Sequence, residues 1–308
     1  MKPTVIDLFA GCGGFSQGFM QAGCDVIGFV EWWKPTITTF SKNHPKIRQI
    51  GTDITKVPTE DLVQYKGKVD IIVGGPPCQG FSFCGKRDPK DQRNQLYQEF
   101  LRFVKVIEPK IVVIENVPGL LSMKDYDNEK IIDKIVHELI GLGYFVGYKV
   151  LTASDYGVPQ SRQRLFIIAK KLGLFPSPSK KKRTVMDAIA DLPDKENGLN
   201  GHVFFDTTKE IIEKINSLQQ GERLSKKYNF SRQRLYSDKP AKTVVTKPIF
   251  IHPFHNRFLT PRELARLQSF PDDFFFCGFK TDMVKQIGNA VPPVLARTIA
   301  KKIMEVGL

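Results

Sequence analysis

The chain has 308 residues, a formal net charge of +14, 41% hydrophobic residues and 25% charged residues. That is ordinary for a globular protein of one large domain, or a large and a small one, and no apolar run nears the roughly 20 residues of a membrane span. The charge excess favours a polyanionic partner, because each neutralised phosphate releases counterions, without separating DNA from RNA or an acidic membrane surface.

Residues 3–9 (Pro-Thr-Val-Ile-Asp-Leu-Phe) read as a buried strand, followed by Ala10-Gly11-Cys12-Gly13-Gly14 and a helix to about Ala22. Residues 25–30 form a second strand ending at Glu31, with a short third near 47–50, a fourth at 69–74 and a fifth at 110–115. Between the last two, Leu96, Phe100, Phe103, Val104 and Ile107 recur at helical spacing. Ile131, Ile132, Ile135, Val136 and Leu139 mark another helix, and strands follow at 145–151 and 165–169. Short apolar runs alternating with amphipathic helices indicate an α/β fold with a parallel sheet covered on both faces. Ligands of such sheets gather at the carboxyl ends of strands where the chain order reverses. After residue 170 the texture changes. Pro176-Ser177-Pro178-Ser179 and Lys180-Lys181-Lys182-Arg183 look like a linker, and residues 170–245 hold 16 Lys/Arg against 9 Asp/Glu, half of the whole charge excess. Taken alone, this run reads as a solvated surface. Two helices are expected beyond it, at 261–269 and 293–306, the latter with a Leu295, Ile299 and Ile303 stripe.

The glycine turn at 10–14 lets a ligand approach the backbone closely, and Glu31 ending the second strand suits ribose hydroxyls. Neither is specific alone, and the spacing is wrong for Gly-x-Gly-x-x-Gly, which argues against a nicotinamide-dependent oxidoreductase. Gly74-Gly75-Pro76-Pro77-Cys78-Gln79-Gly80-Phe81-Ser82 is far more telling. Prolines stiffen the approach to Cys78, and a loop to about Gln95 follows, carrying Lys86, Arg87, Lys90 and Arg93. Cys84 in that loop is the rival nucleophile, without the proline frame. Glu115 ends the next strand, where it and Cys78 could face one substrate. Arg162 and Arg164 alternate into a strand and point the same way, as paired forks for phosphate or base carbonyls, or as a plain surface pair. The five cysteines have no Cys-x-x-Cys spacing, which argues against zinc or a disulfide framework. With an N-terminus that enters a strand directly, they point to an intracellular protein.

In this order the segments resemble the cytosine-5 DNA methyltransferase family of the prokaryotic restriction–modification type, leaving only about 170–245 uncovered. The resemblance implies a Rossmann-like, S-adenosylmethionine-dependent methyltransferase domain with a mixed sheet and helices on both faces, spanning 1–169 and completed by 283–308. It implies a smaller target-recognition domain at 170–282. Residues 7–14 look like the cofactor loop, with Phe9 stacking on the adenine and Gly11, Cys12, Gly13 and Gly14 around it. Glu31-Trp32 resembles the ribose and adenine pair, although Trp33 doubles the aromatic, and Asp53-Ile54 resembles the adenine-edge motif. Pro77, Leu96, Asn289 and Ala290 complete the expected cofactor pocket. Cys78 is then the nucleophile adding to cytosine C6, with Glu115 at N3, Arg164 at O2 and Arg162 beside it. Gln79, Ser82, Cys84, Lys86, Arg87, Arg93, Arg232 and Arg234 are expected to contact double-stranded DNA. Residues 259–271 are similar to the helix closing the recognition domain, and Gly288-Asn289-Ala290-Val291-Pro292-Pro293 to the last motif. The resemblance also implies a monomer in the prokaryotic cytoplasm near the nucleoid, working beside a cognate restriction endonuclease, with no metal and no membrane. Two rivals share the fold. An RNA cytosine-5 methyltransferase usually carries a Cys-Phe-Thr tripeptide that is absent here. A non-catalytic DNA-binding relative loses the cysteine or the glutamate, and both are present.

Overall fold

The computed structural model describes residues 2–77, 96–125, 128–170, 175–179, 182–225 and 232–307. The apolar runs become β1 (Thr4–Leu8), β2 (Asp25–Val30), β3 (Arg48–Gly51), β4 (Ile71–Gly74), β5 (Ile111–Asn116), β6 (Phe145–Thr152) and β7 (Gln163–Lys170). They form one sheet in the order β3-β2-β1-β4-β5-β7-β6. The strands from β1 to β5 pair in parallel, whereas β7 runs antiparallel to both β5 and β6. The sheet is therefore mixed, as the resemblance implied, and not the parallel sheet that alternation alone suggests. The reason is the length of the β6–β7 connection. Residues 153–162 are too few for a helical crossover, so the chain can only turn back on itself.

Helices α1 (Gly14–Gln21), α2 (Lys34–Asn43), α3 (Thr59–Val63), α4 (Leu96–Ile107) and α5 (Ile131–Gly141) alternate with the strands. The period-two pleat sorts the side chains by face. Ile6, Leu8, Ile72, Val112 and Ile114 pack against Phe100, Phe103, Ile132 and Ile135 of α4 and α5. Their neighbours Val5, Ile71, Val73, Ile111 and Val113 pack on the opposite side with Phe15 and Phe19 of α1.

Beyond the sheet lie α6 (Met186–Ile189), α7 (Lys209–Asn216), β8 (Gln233–Arg234), β9 (Phe250–Ile251), α8 (Pro261–Leu267), α9 (Lys280–Asn289) and α10 (Pro293–Glu305). Val185, Leu235, Val244, Phe250, Leu264, Phe270, Phe274, Phe276 and Ile287 form a separate core, giving a second lobe. Neither α7 nor α9 is among the helices expected from the sequence, although α7 carries Ile211, Ile212 and Ile215 at helical spacing. In α9 the apolar residues are only Met283, Val284 and Ile287, too few to stand out. The last helix, α10, leaves the second lobe and adds Leu295, Ile299 and Ile303 to the sheet core beside α1.

Gly18 sits at the α1–α10 contact. A Cβ there would lie 2.4 Å from the Pro293 carbonyl oxygen and 2.5 Å from the Ala296 Cβ. Gly18→Ala is therefore expected to force the helices apart and cost about 1–3 kcal/mol, the usual scale of overpacking. A lowered denaturant midpoint at constant slope checks this, and an unchanged midpoint would show that the interface yields freely.

Candidate active site

The chain order of the sheet reverses between β1 and β4, so their carboxyl ends open a crevice. A cleft of about 520 Å³ occupies it. Phe9 leaves β1 in the left-handed region with φ 57°, an unusual conformation for a residue with a side chain, and Gly13 follows with φ 98°. The turn is pinned by Glu31, whose carboxylate accepts from the Gly11 and Trp33 backbone amides, each at 2.8 Å. Trp32 stands 72% exposed on the cleft wall. Trp33 also lines the cleft, but the Lys285 ammonium lies 4.1 Å from its ring centroid. Asn289 and Ala290, at the end of α9, close the cleft from the second lobe.

The antiparallel course of β7 has a direct consequence for the site. Its amino end meets the carboxyl end of β5, with Leu165 opposite Asn116. Arg164 Nε thus lies 2.9 Å from Glu115 Oε1, both side chains largely shielded. The pair is close without being aligned as a hydrogen bond, so that buried carboxylate oxygen keeps its accepting capacity. Asn116 Nδ2 donates to the Pro76 carbonyl at 3.0 Å and ties the loop after β4 to β5. Arg162 is almost wholly buried and donates from Nη1 to the Val244 carbonyl at 3.2 Å. Burial, then the neighbouring Arg164, holds its guanidinium pKa down to about 9. An acceptor carboxylate, two guanidinium groups and a glycine-rich cradle therefore share one cleft.

Of the residues singled out in the sequence, the cleft gathers Phe9, Gly11, Gly14, Glu31, Trp32, Pro77, Glu115, Arg162, Arg164, Asn289 and Ala290. Cys78, Gln79, Ser82, Cys84, Lys86, Arg87 and Arg93 lie outside the described residues. Five expected cofactor contacts do not line the cleft. Cys12 points away from it into the second lobe's core, its sulfur 3.7 Å from the Gln286 carbonyl, and burial pushes its thiol pKa far up. Asp53 accepts from the Thr55 amide and hydroxyl, at 3.0 and 2.7 Å, and so caps a short turn. Ile54 and Leu96 belong to the core beneath the sheet. Gly13 is not a lining residue either, since a Cβ on it would meet the Phe40 ring of α2 at 3.0 Å.

The two arginines expected on DNA that fall among the described residues divide. Arg232 is exposed, its guanidinium 4.9 Å from the Phe258 ring centroid. Arg234 is not at the surface at all. It is 5% exposed and donates to the carbonyls of Ile215, His252 and His255 and to Asn256 Oδ1, so it braces the second lobe. Sequence patterning missed Lys285 and Gln286 as lining residues, because α9 itself was not visible there.

A family model for C-5 cytosine-specific DNA methylase matches residues 3–305. Among curated relatives, the chain is 38% identical to type II methyltransferase M.DdeI of Desulfomicrobium norvegicum, over 97% of this chain and 88% of that protein. It is 40% identical to type II methyltransferase M1.HphI of Haemophilus parahaemolyticus, over 99% of this chain and 87% of the relative. Among solved structures, it superposes on an inferred DNA modification methyltransferase encoded within an E. coli prophage with a TM-score of 0.84. That match has 31% identity and covers 98% of each chain.

Proposed function

The chain belongs to the C-5 cytosine-specific DNA methylase family, and from that premise we propose how its cleft and its Pro76-Pro77-Cys78 segment divide the work of a DNA (cytosine-5)-methyltransferase. The cleft fits S-adenosylmethionine: a backbone cradle at Gly11, an exposed aromatic face on Trp32 and the acid Glu31 meet an adenosine's needs. Phe9, Glu31, Trp32, Asn289 and Ala290 hold it. When bound, the cofactor supplies an electrophilic methyl group from its sulfonium. Cytosine stacked in a duplex cannot reach such a cleft, so the base is swung out at a cost of a few kcal/mol.

Cytosine C5 is a poor nucleophile until a group adds to C6. Cys78, directly after the cleft residue Pro77 in the chain, adds there as a thiolate and makes C5 enamine-like. Glu115 holds the ring at N3 and shares a proton with it as charge develops, and Arg164 binds the O2 carbonyl. After C5 is methylated, loss of its proton to a base expels Cys78 and restores the aromatic ring. Arg162, held in place by Val244, keeps positive charge behind Arg164. Residues 170–282 act as the target-recognition domain on double-stranded DNA, the short length favouring a short target site, and a cognate restriction nuclease works beside the enzyme. The single observation that carries this reading is the Glu115–Arg164 pair at 2.9 Å in the cleft shared with Pro77.

Bisulfite sequencing of plasmid DNA from cells expressing the chain tests it. The expected result is one cytosine protected within a fixed sequence context, and complete conversion at every cytosine would overturn it. Between the two tryptophans, the free face of Trp32 makes it the adenine partner. Trp32→Ala is expected to weaken cofactor binding about tenfold, within the scale of base–aromatic stacking. In calorimetry, a larger loss from Trp33→Ala than from Trp32→Ala would reverse the assignment.

A further inference from the structure

The second lobe carries a concavity of about 710 Å³ that the chemistry above leaves without a part. Two short segments form much of its wall, set antiparallel with Arg223 opposite Gln233. Residues opposed in this way point to one side, and their neighbours in the chain to the other. Arg223 and Gln233 therefore face the concavity, while Arg234 turns inward to brace the lobe. Gln233 donates from Nε2 to the Gly221 carbonyl at 2.6 Å. Tyr236 lies across that same turn, where a Cβ on Gly221 would sit 2.2 Å from the phenol oxygen. Lys242 completes the wall, and the Lys239 ammonium lies 4.2 Å from the Tyr236 ring centroid.

Three cations thus gather around one phenol. Among the described residues, neither the Arg223 nor the Lys242 side chain has an ion pair or a hydrogen bond. Glu222, also in the wall, accepts instead from the Gln219 amide at 2.7 Å. Partial burial, then the nearby Arg223, lowers the Lys242 pKa, so the two charges feel one another. Like charges held together repel until an anion joins them, and a phosphate oxygen suits both a guanidinium and an ammonium. The concavity also adjoins the catalytic strand. Ala241 pairs with Gln160, the Ser161 amide donates to the Ala241 carbonyl at 2.7 Å, and Arg162 reaches the Val244 carbonyl at 3.2 Å. Lys242 therefore stands in the segment running beside the approach to β7, the strand that delivers Arg164 to Glu115.

We propose that Arg223 and Lys242 together grip one phosphate of the target strand close to the flipped cytosine, with the Tyr236 hydroxyl as a further donor. This rests on the reading of the chain as a methyltransferase of duplex DNA. Such a contact carries no sequence information but fixes the register of the strand. A base leaving the stack turns about its backbone, and a held phosphate gives that turn its pivot.

The test measures binding of the full chain, with S-adenosylhomocysteine present, to short duplexes bearing the cytosine mapped by bisulfite sequencing. In each duplex one phosphate near that cytosine is replaced by a neutral methylphosphonate. At one linkage the wild-type chain is expected to lose about tenfold or more in affinity, the scale of one hydrogen bond to a charged group. Arg223→Gln and Lys242→Gln should bind the unmodified duplex more weakly by a similar factor and lose little further at that linkage. Lys68→Gln, an exposed site before the amino end of β4, should behave as the wild type at every linkage. Losses that simply multiply, or variants that bind the unmodified duplex normally, overturn the inference. So does a changed bisulfite sequence context in Arg223→Gln with the phosphate sensitivity intact, which would make this arginine a base reader. A wild-type chain that binds no duplex and protects no cytosine overturns the functional reading instead.

Discussion

Cys78→Ala is expected to reduce methyl transfer by on the order of a thousandfold or more, the kind of loss seen when one member of a catalytic unit is removed. Without the sulfur, nothing adds to C6, and C5 stays too electron-poor to take a methyl group. Affinity for S-adenosylhomocysteine should change little, because the cleft walls that hold it come from the segments following β1 and β2 and from the end of α9. The direct check is a duplex with 5-fluorocytosine at the target, which traps the adduct because fluorine cannot leave as a proton does. In the wild-type chain, peptide mapping should place that adduct on Cys78. An adduct on Cys84, or turnover retained in Cys78→Ala, would move the nucleophile elsewhere.

Glu115→Gln is expected to lower the rate by about 10²- to 10⁴-fold, the range for a positioned acid–base group. The amide matches the carboxyl in size but can neither share a proton with N3 nor balance the adjacent Arg164, 2.9 Å away. Leaving that shielded guanidinium without its counter-charge should also lower thermal stability modestly, since breaking a partly buried pair strands one charge. Target-DNA affinity is expected to change little. If weaker DNA binding accounts for the entire drop in rate, Glu115 is a binding group and its chemical role is wrong. Single-turnover methylation at saturating DNA separates the two.

Much of the site was legible because motif chemistry is local. Phe9 and the glycine turn, Glu31-Trp32, Pro77, Glu115, Arg164 and Asn289-Ala290 stand in short segments whose composition is unusual, and they do share the cleft. The α8 start was legible too. Thr260-Pro261-Arg262-Glu263 places a capping box with proline at the first turn, and both of its reciprocal bonds are present. Cys12 and Arg234 misled for one reason. A thiol in a glycine turn and an arginine in a basic segment look functional by type, yet side-chain direction and burial are set by distant residues. Gln286 and Ile215, each remote in sequence, supply their partners.

By itself, then, the order of residues determined the strands of the sheet, the helices α1, α4, α5, α8 and α10, the family and the chemistry available, because apolar periodicity and motif composition are written over a few consecutive positions. Only the tertiary structure decided that β7 runs antiparallel and thereby delivers Arg164 to Glu115. The same holds for Gln160, Val244, Gln268 and Ala290, which form one buried relay although they are scattered along 131 positions, from 160 to 290. Strand direction depends on connection length and on packing against the whole sheet. Burial of an amide or a guanidinium depends on which remote carbonyls arrive to receive its protons, and no local pattern records that.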